Sequence, residues 1–172
     1  MKLIRAREDT IERITQFYRN VIAHTEHMDR CARWIYGQHP TDEMLQSYIR
    51  SGAMYYCEKD GAILSALAVT PQAEDYHDAA WSIFLDDDEV SVIHLLCVAP
   101  EAQRQGVARE TMGLIIKRSR EIGKKAVRLD SLASNTPAHQ LYESLGFQKR
   151  DQRRWYAKNT GWTDFYLYEL CI

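Results

Sequence analysis

Apolar positions along this chain switch between helical and strand spacing, and the switches divide it into elements. Ile11, Ile14, Tyr18, Val21 and Ile22 recur at helical intervals, which predicts a first helix ending near His24. A short strand over residues 2–6 precedes it, and Asp9-x-x-Glu12 reads as a variant capping box. Residues 26–40 hold no sustained period. Their Trp34, Ile35 and Tyr36 fit a short helix or an ordered loop. Thr41 is placed to cap the next helix, with Asp42 and Glu43 in its first turn. Met44, Leu45, Tyr48 and Ile49 form its apolar face, and Gly52 ends it. Strand-like runs at 53–59 and 62–69 flank Asp60-Gly61, a strong hairpin signal.

The second half is more regular. Residues 70–80 read as loop, and 81–85 as a strand ended by the acidic run from Asp86 to Glu89. The nearly unbroken apolar run from Val90 to Val98 predicts a central strand covered on both faces. Ala108, Met112, Ile115, Ser119 and Ile122 make one helical stripe, which Gly123 terminates. A strand over 126–132 follows. A short helix over 137–145 comes next, opened by Asn135 or Thr136 and closed by Gly146. Strands near 147–155 and 163–171 complete the chain. The strands on either side of Gly106 are separated by enough helix for a parallel crossover, and the last pair reads as antiparallel. The expected fold class is α/β, a mixed central β-sheet flanked by helices, in a single domain over residues 1–172.

Composition narrows the function. At 172 residues, 45% hydrophobic and 27% charged, the chain has the makeup of one soluble globular domain. A formal net charge of -2 gives no bulk attraction for a polyanion. No apolar run reaches the length of a membrane span. Cys31, Cys57, Cys97 and Cys171 are scattered, without C-x-x-C or zinc-site spacing, which points to free thiols in a reducing, cytoplasmic setting.

The most telling feature is the turn Gln103-Arg-Gln-Gly-Val-Ala108, set between the central strand and a helix. A helix start carries unpaired N–H donors and partial positive charge, and Gly106 lets backbone approach a ligand closely. Such a turn holds phosphate, and Arg104 and Arg109 flank it. It is not the loop of a phosphate-loop NTPase, because the terminal Lys-Ser/Thr is missing.

This segment resembles the acetyl-CoA-binding motif of the GNAT superfamily of N-acetyltransferases, Arg/Gln-x-x-Gly-x-Gly/Ala, here Gln103-x-x-Gly106-x-Ala108. The family's next motif resembles Asn135-Thr-Pro-Ala138 and Leu141-Tyr-Glu-Ser-Leu-Gly-Phe147. The resemblance is specific over residues 90–150 and topological before them. It implies that Leu96, Cys97 and Val98 pair their backbone with pantetheine. It further implies that the segment Arg104, Gln105, Gly106, Val107, Ala108 and Arg109 holds the pyrophosphate and that Asn135 bonds the pantetheine. Tyr142 would face the CoA sulfur, and a bulge would splay the central strand from its parallel neighbour. A strand N–H near Cys97–Val98 would serve the thioester oxygen.

The implied reaction is acetyl transfer from acetyl-CoA to a primary amine by direct attack, without metal. A small-molecule acceptor is favoured. A peptide or protein acceptor and a non-catalytic acyl-CoA-binding module are the alternatives. The expected partners are acetyl-CoA and the amine, with no nucleic acid and no membrane; a homodimer is allowed. An alkylamine has a pKa of about 10.4, so attack needs a base. Asp130 interrupts the apolar run of residues 127–132, and His94 interrupts the central strand; both are candidates, with Glu89 third. Cys97 as an acyl-carrying nucleophile lacks an evident His or Asp partner.

Overall fold

The computed structural model describes residues 1–172. One seven-stranded sheet organises it, in the order β1-β2-β3-β4-β5-β7-β6. The strands are β1 (Lys2–Arg5), β2 (Met54–Lys59), β3 (Ala62–Thr70), β4 (Val90–Val98), β5 (Ala126–Leu132), β6 (Gln148–Ala157) and β7 (Gly161–Cys171). The helices are α1 (Ile11–His24), α2 (Asp42–Arg50), the short α3 (Glu74–His77), α4 (Val107–Glu121) and α5 (Thr136–Ser144). β4 and β5 are parallel, and every other neighbouring pair is antiparallel. This is the expected α/β class with a mixed sheet. No helix is long and apolar enough to cross a membrane.

Helices cover both faces. On one, Ile14, Tyr18 and Val21 of α1 and Leu45 and Ile49 of α2 pack on Met54, Tyr56, Ala66 and Cys97. On the other, Met112 and Ile115 of α4 and Tyr142 of α5 pack on Leu67, Ile93, Val127 and Leu129. β4 is therefore covered on both sides, as its apolar run predicts. Thr41 caps α2 by accepting from the Met44 N–H at 3.2 Å. Asp60 and Gly61 take φ 52° and 81°, the two positive values that a tight hairpin turn needs.

Three local expectations are corrected. Asp9 forms no capping box. It lies inside a 3-10 turn, Glu8–Thr10, closed by the Arg7 N–H donating to Thr10 Oγ1 at 3.0 Å. The α4 stripe ends at Ser119, because Ile122 lies past the last turn and is 55% exposed. Residues 81–85 are not a strand, and 70–80 include α3. Trp81 and Leu85 lie over the sheet instead of joining it, packed on Val90 and Val92, while Ile83 and Phe84 are exposed. The backbone here finds side-chain partners. The Ser82 N–H donates to Glu169 Oε2 at 3.0 Å, and Arg128 Nη2 donates to the Ile83 carbonyl at 2.8 Å.

A buried ion pair anchors this segment. Arg128 and Glu169 are each 1% exposed and meet at 2.8 Å across β5 and β7. Gln72 and Ser82 complete their hydrogen bonds, Arg150 joins Glu169 at 3.0 Å, and the Trp81 ring lies 4.3 Å from the Arg128 guanidinium carbon. Burial pushes the Glu169 carboxyl up, but the Ser82 donors and Arg128 outweigh it and hold the group below the usual range. Such a depressed carboxylate stabilises the fold above its unfolded pKa, and that contribution fades as pH falls through the folded value. Removing one partner of a buried pair costs about 3–5 kcal/mol, because the other charge is stranded. Glu169→Ala is therefore expected to lose stability on that scale in urea unfolding at neutral pH. A change within the scatter of surface mutations would show that the pair does not anchor the fold.

Candidate active site

The site begins where the sheet comes apart. β4 and β5 stay paired only from Val90↔Ala126 to Ile93↔Leu129. Beyond that point β4 carries a bulge against β3: Ala68 pairs with His94 and Ala66 with Cys97, so β4 spends one extra residue. Leu95 absorbs it with φ 56°, a left-handed conformation costing roughly 1–2 kcal/mol for a residue with a Cβ. The buried Tyr18 hydroxyl holds it by donating to the Leu95 carbonyl at 2.9 Å. Because the peptide is planar and trans, the Leu96 N–H points away from Tyr18.

Two cavities meet at the split. The larger, about 480 Å³, runs along Leu96, Cys97 and Val98 to the turn before α4 and is walled by Pro137, Ala138, Leu141 and Tyr142 of α5. At its far end Gly106 takes φ 82° and ψ 0°, and no side chain caps α4. The amides of Val107, Ala108 and Arg109 are left as free donors at the positive end of a helix, since Glu110 is the first to bond back to Gly106. The smaller cavity, about 210 Å³, lies between the diverging strands. It holds His39, Tyr48, His94, Asp130 and Asn159, under Trp34 and Phe165. Leu96, Asn135 and Tyr142 line both cavities.

Most of the sequence-predicted residues gather here in distinct roles. Gln103 braces the turn, donating to the Val98 carbonyl at 3.2 Å and to Thr25 Oγ1 at 3.0 Å. Arg104 lines the groove with φ 61° and pairs loosely with Glu26 at 3.4 Å. Gln105 turns back to the Glu101 carbonyl at 2.8 Å and does not line the groove. Arg109 lines the groove while donating to Ser144 Oγ at 2.6 Å. Asn135 opens α5 without capping it, so its side chain is free toward the cavities. Tyr142 is buried, and burial raises its pKa well above that of a free phenol. Cys97 is buried as well, and burial raises its thiol, which fits an inert side chain. All four cysteines are free. Glu89 accepts from the Asp86 N–H at 3.0 Å in the turn before β4 and lines neither cavity.

Both candidate bases reach the small cavity. Thr70 Oγ1 donates to the Pro71 carbonyl at 2.8 Å, so it must accept from His94 Nε2 at 2.9 Å. Nε2 then carries the proton, and Nδ1 keeps its lone pair. Burial lowers the His94 pKa to about 4, so the ring is neutral at physiological pH. Asp130 is shifted the other way: burial raises its carboxyl, while the Tyr76 hydroxyl, donating to Oδ1 at 2.5 Å, lowers it in part. Sequence reasoning missed Tyr76 and His39. Tyr76 lay in a stretch read as loop, and His39 in one without period; neither carries a local motif.

A free helix N-terminus, a strand edge opened by a bulge and an adjoining pocket holding imidazoles and a carboxylate have the chemistry to suit a phosphate-bearing acyl carrier and an acceptor. The chain belongs to the acetyltransferase (GNAT) family, whose model matches residues 21–147. It is 37% identical over 73 residues to the ribosomal protein bS18-alanine N-acetyltransferase of Escherichia coli, a match over 42% of this chain and 49% of that protein. It is 39% identical over 62 residues to the mycothiol acetyltransferase of Pseudarthrobacter chlorophenolicus, covering 36% of this chain and 19% of that one. The match thus spans about half the length of the first of these relatives and a fifth of the second. Among solved structures, a ribosomal-protein-alanine N-acetyltransferase from Brucella melitensis shares the fold with TM-score 0.72 at 18% identity, over 100% of both chains. The protein yncA of Salmonella typhimurium, solved with its cofactor acetyl-CoA, does so with TM-score 0.70 at 19% identity, over 99% of this chain and 93% of that one.

Gly106→Val adds a branched side chain at a positive φ in front of the free amides. It is expected to weaken CoA binding by about tenfold or more, a loss of ~1.4 kcal/mol, in titration calorimetry. Unchanged affinity would remove this turn from the binding site.

Proposed function

We propose that this protein transfers acetyl from acetyl-CoA to the amine of a small molecule, by direct attack within a ternary complex. The observation that carries the reading is the meeting of groove and pocket at Leu96, Asn135 and Tyr142. Pantetheine would lie along the open edge of β4 as an added strand, gaining affinity from backbone. Its pyrophosphate would take the amides before and in the first turn of α4, with Arg104 adding charge. The thioester carbonyl would then sit beside the Leu96 N–H, one residue before the Cys97–Val98 amides expected from sequence, and that amide would stabilise the developing oxyanion.

The amine loses its proton in the small cavity before or during attack. Asp130 is the better base, because burial raises its affinity for a proton whereas burial keeps His94 from holding one. His94 Nδ1 is suited to orient the amine or a water. The nitrogen bonds the acetyl carbon, the carbon–sulfur bond breaks, and the electron pair leaves on sulfur. Tyr142 would meet that thiolate as a hydrogen-bond donor, since its raised pKa keeps the phenol protonated. An ammonium gives up two protons in all, one before attack and one from the nitrogen as the intermediate collapses; with Asp130 as the relay, one ends on the thiolate and the other leaves to solvent, which closes the cycle.

The small acceptor is supported by closure of the pocket. The segment between α1 and α2 is strapped to the β6–β7 turn: Asn159 Nδ2 donates to the Arg33 carbonyl at 2.7 Å, and Arg33 Nη2 donates to the Thr160 carbonyl at 3.2 Å. A peptide would need that strap open. A protein N-terminus is the second reading, favoured by the names of the alanine N-acetyltransferases to which the chain is similar. CoA release measured against a panel of amines and alanine-ended peptides decides between them, and faster turnover of peptides would overturn the small-molecule choice.

Asp130→Asn is expected to lower kcat by about 10²–10⁴-fold and to abolish an acid limb lying above the usual carboxylate range. Unaltered kcat and pH profile would remove Asp130 as base. Tyr142→Phe should lower kcat while leaving CoA affinity nearly intact; the opposite pattern would make Tyr142 a packing residue only.

A further inference from the structure

Two carboxylates on the sheet are held in opposite ways. Glu169 accepts from the Ser82 N–H and hydroxyl, from Arg128 and from Arg150. Against the upward push of burial, the Ser82 donors and Arg128 hold it below the usual carboxylate range. Asp130 accepts from one side chain, the Tyr76 hydroxyl, at 2.5 Å on Oδ1. Burial pushes its carboxyl up, and this phenol is the largest influence in the other direction. A carboxyl whose folded pKa lies above its unfolded one opposes folding wherever it is charged. Asp130 thus costs stability above the carboxylate range, where Glu169 contributes it. Stability does not account for the Tyr76–Asp130 pair, and a perturbed acid lining a cavity points to chemistry.

Long-range contacts bring the phenol there. Tyr76 lies on α3, a single turn too short to hold itself. Trp81 Nε1 donates to the Tyr76 carbonyl at 2.7 Å, and the Trp81 ring stacks on Tyr76 at 5.7 Å. Tyr76 is 5% exposed, and its hydroxyl bonds Asp130 alone. Burial raises its pKa well above that of a free phenol and the Asp130 charge adds to this, so it stays a donor. Oδ1 is engaged, and no side chain donates to Oδ2.

The other titratable groups around this carboxyl do not duplicate the bond. His39, between α1 and α2, draws its pKa down and Asp75 of α3 pushes it up, both by charge alone. Tyr48 of α2, Tyr142 of α5 and His94 of β4 share the cavity without bonding it. Arg128, two residues earlier on β5, is spent on Glu169 and Gln72, and the register partner of Asp130 on β7 is Leu167.

We propose that Tyr76 is a positioning residue for the proposed base: by holding Oδ1 of Asp130 it fixes the carboxyl plane and leaves Oδ2 to take the proton of the attacking amine. This rests on the acetyl-transfer reading above. One donor, against the several on Glu169, orients the group and leaves it basic.

The test follows Asp130 in two ways. Carbon NMR titration of its carboxyl, assigned with Asp130→Asn, reads proton affinity without substrate. CoA release with the fastest acceptor of the panel above reads its use. Tyr76→Phe keeps the ring on Trp81 and removes the hydroxyl. It is expected to move the Asp130 titration to higher pH and to carry the acid limb of kcat with it. Above that limb kcat should fall about tenfold, the scale of one hydrogen bond to a charged group, while the KM for acetyl-CoA holds. In an Asp130→Asn background the same change should lower kcat no further, because the phenol acts through the carboxyl. A titration and acid limb that stay in place, or a loss that adds in full to that of Asp130→Asn, would overturn the proposal. Should Tyr76→Phe fail to fold, Trp81→Phe decides: it frees the Tyr76 carbonyl and keeps a ring on the phenol, so the same two shifts support the proposal and their absence overturns it. Where no acceptor releases CoA, the transfer reading fails, and the carboxyl titration alone decides: a rise in Tyr76→Phe supports the hold of Tyr76 on Asp130, and an unmoved value overturns it.

Discussion

A single hydrogen bond, from the Tyr18 hydroxyl to the Leu95 carbonyl, sets the geometry on which the site depends. It lies in the buried packing between α1 and the sheet, where an unmade bond is costly and a made one correspondingly specific. By holding the bulge, it places His94 and Leu95, consecutive in sequence, toward the same side of the sheet, and sends Leu96 to the other. The parallel ladder to β5 stops at Ile93, just before this point. The cleft is thus a consequence of core packing on the α1 side. The residues that would touch ligand take their positions from a tyrosine that touches none.

A second dependency runs through β5. Arg128 and Asp130 are two residues apart and share a face. Arg128 is satisfied by Glu169, Gln72 and the Ile83 carbonyl, and so fixes the segment between β3 and β4 over the sheet. That segment delivers Tyr76 to Asp130, and Tyr76 is itself stacked on Trp81 at 5.7 Å and packed near Trp155 at 6.1 Å. The buried ion pair is therefore more than an anchor. It sets the position of the phenol that holds one oxygen of the proposed base, leaving the other oxygen for substrate.

Legibility in the sequence follows the range of the interactions. The central strand, the crossover and the helix starts rest on local periodicity and turn chemistry, and Val90–Val98, Gly106 and Asn135 announced them. The cofactor side was legible for the same reason: a free helix N-terminus is a local object. The acceptor side was not. Trp81 and Leu85 look strand-like in sequence, yet Trp81 lies over Arg128 and Ser82 beside it bonds Glu169, both far along the chain. His39 and Asn159 reach the cavity, and Tyr76 reaches Asp130, from three separate connections, and Tyr76 and Asn159 are placed by long-range bonds. The bulge at Leu95 escapes pattern reading too, since its hydrogen-bond partner is 77 residues away.

Burial moves the groups of the small cavity apart in proton affinity, and the direction of each shift follows from its charge type. Desolvation penalises imidazolium, so His94 falls to about 4, and it penalises carboxylate, so Asp130 rises. It also raises Tyr142 and Tyr76, which remain phenols. The cavity then presents one carboxylate of strengthened basicity, two imidazoles, His39 and His94, of lowered proton affinity, and hydroxyls able only to donate or accept hydrogen bonds. An ammonium entering this space would be drawn to the Asp130 carboxylate and would give up a proton more readily than in water, because desolvation disfavours its charge as well. On the proposed reading, the enclosure that would favour a compact acceptor would also favour loss of that acceptor's proton, so specificity and base strength would rest on the same strap between Arg33 and the β6–β7 turn.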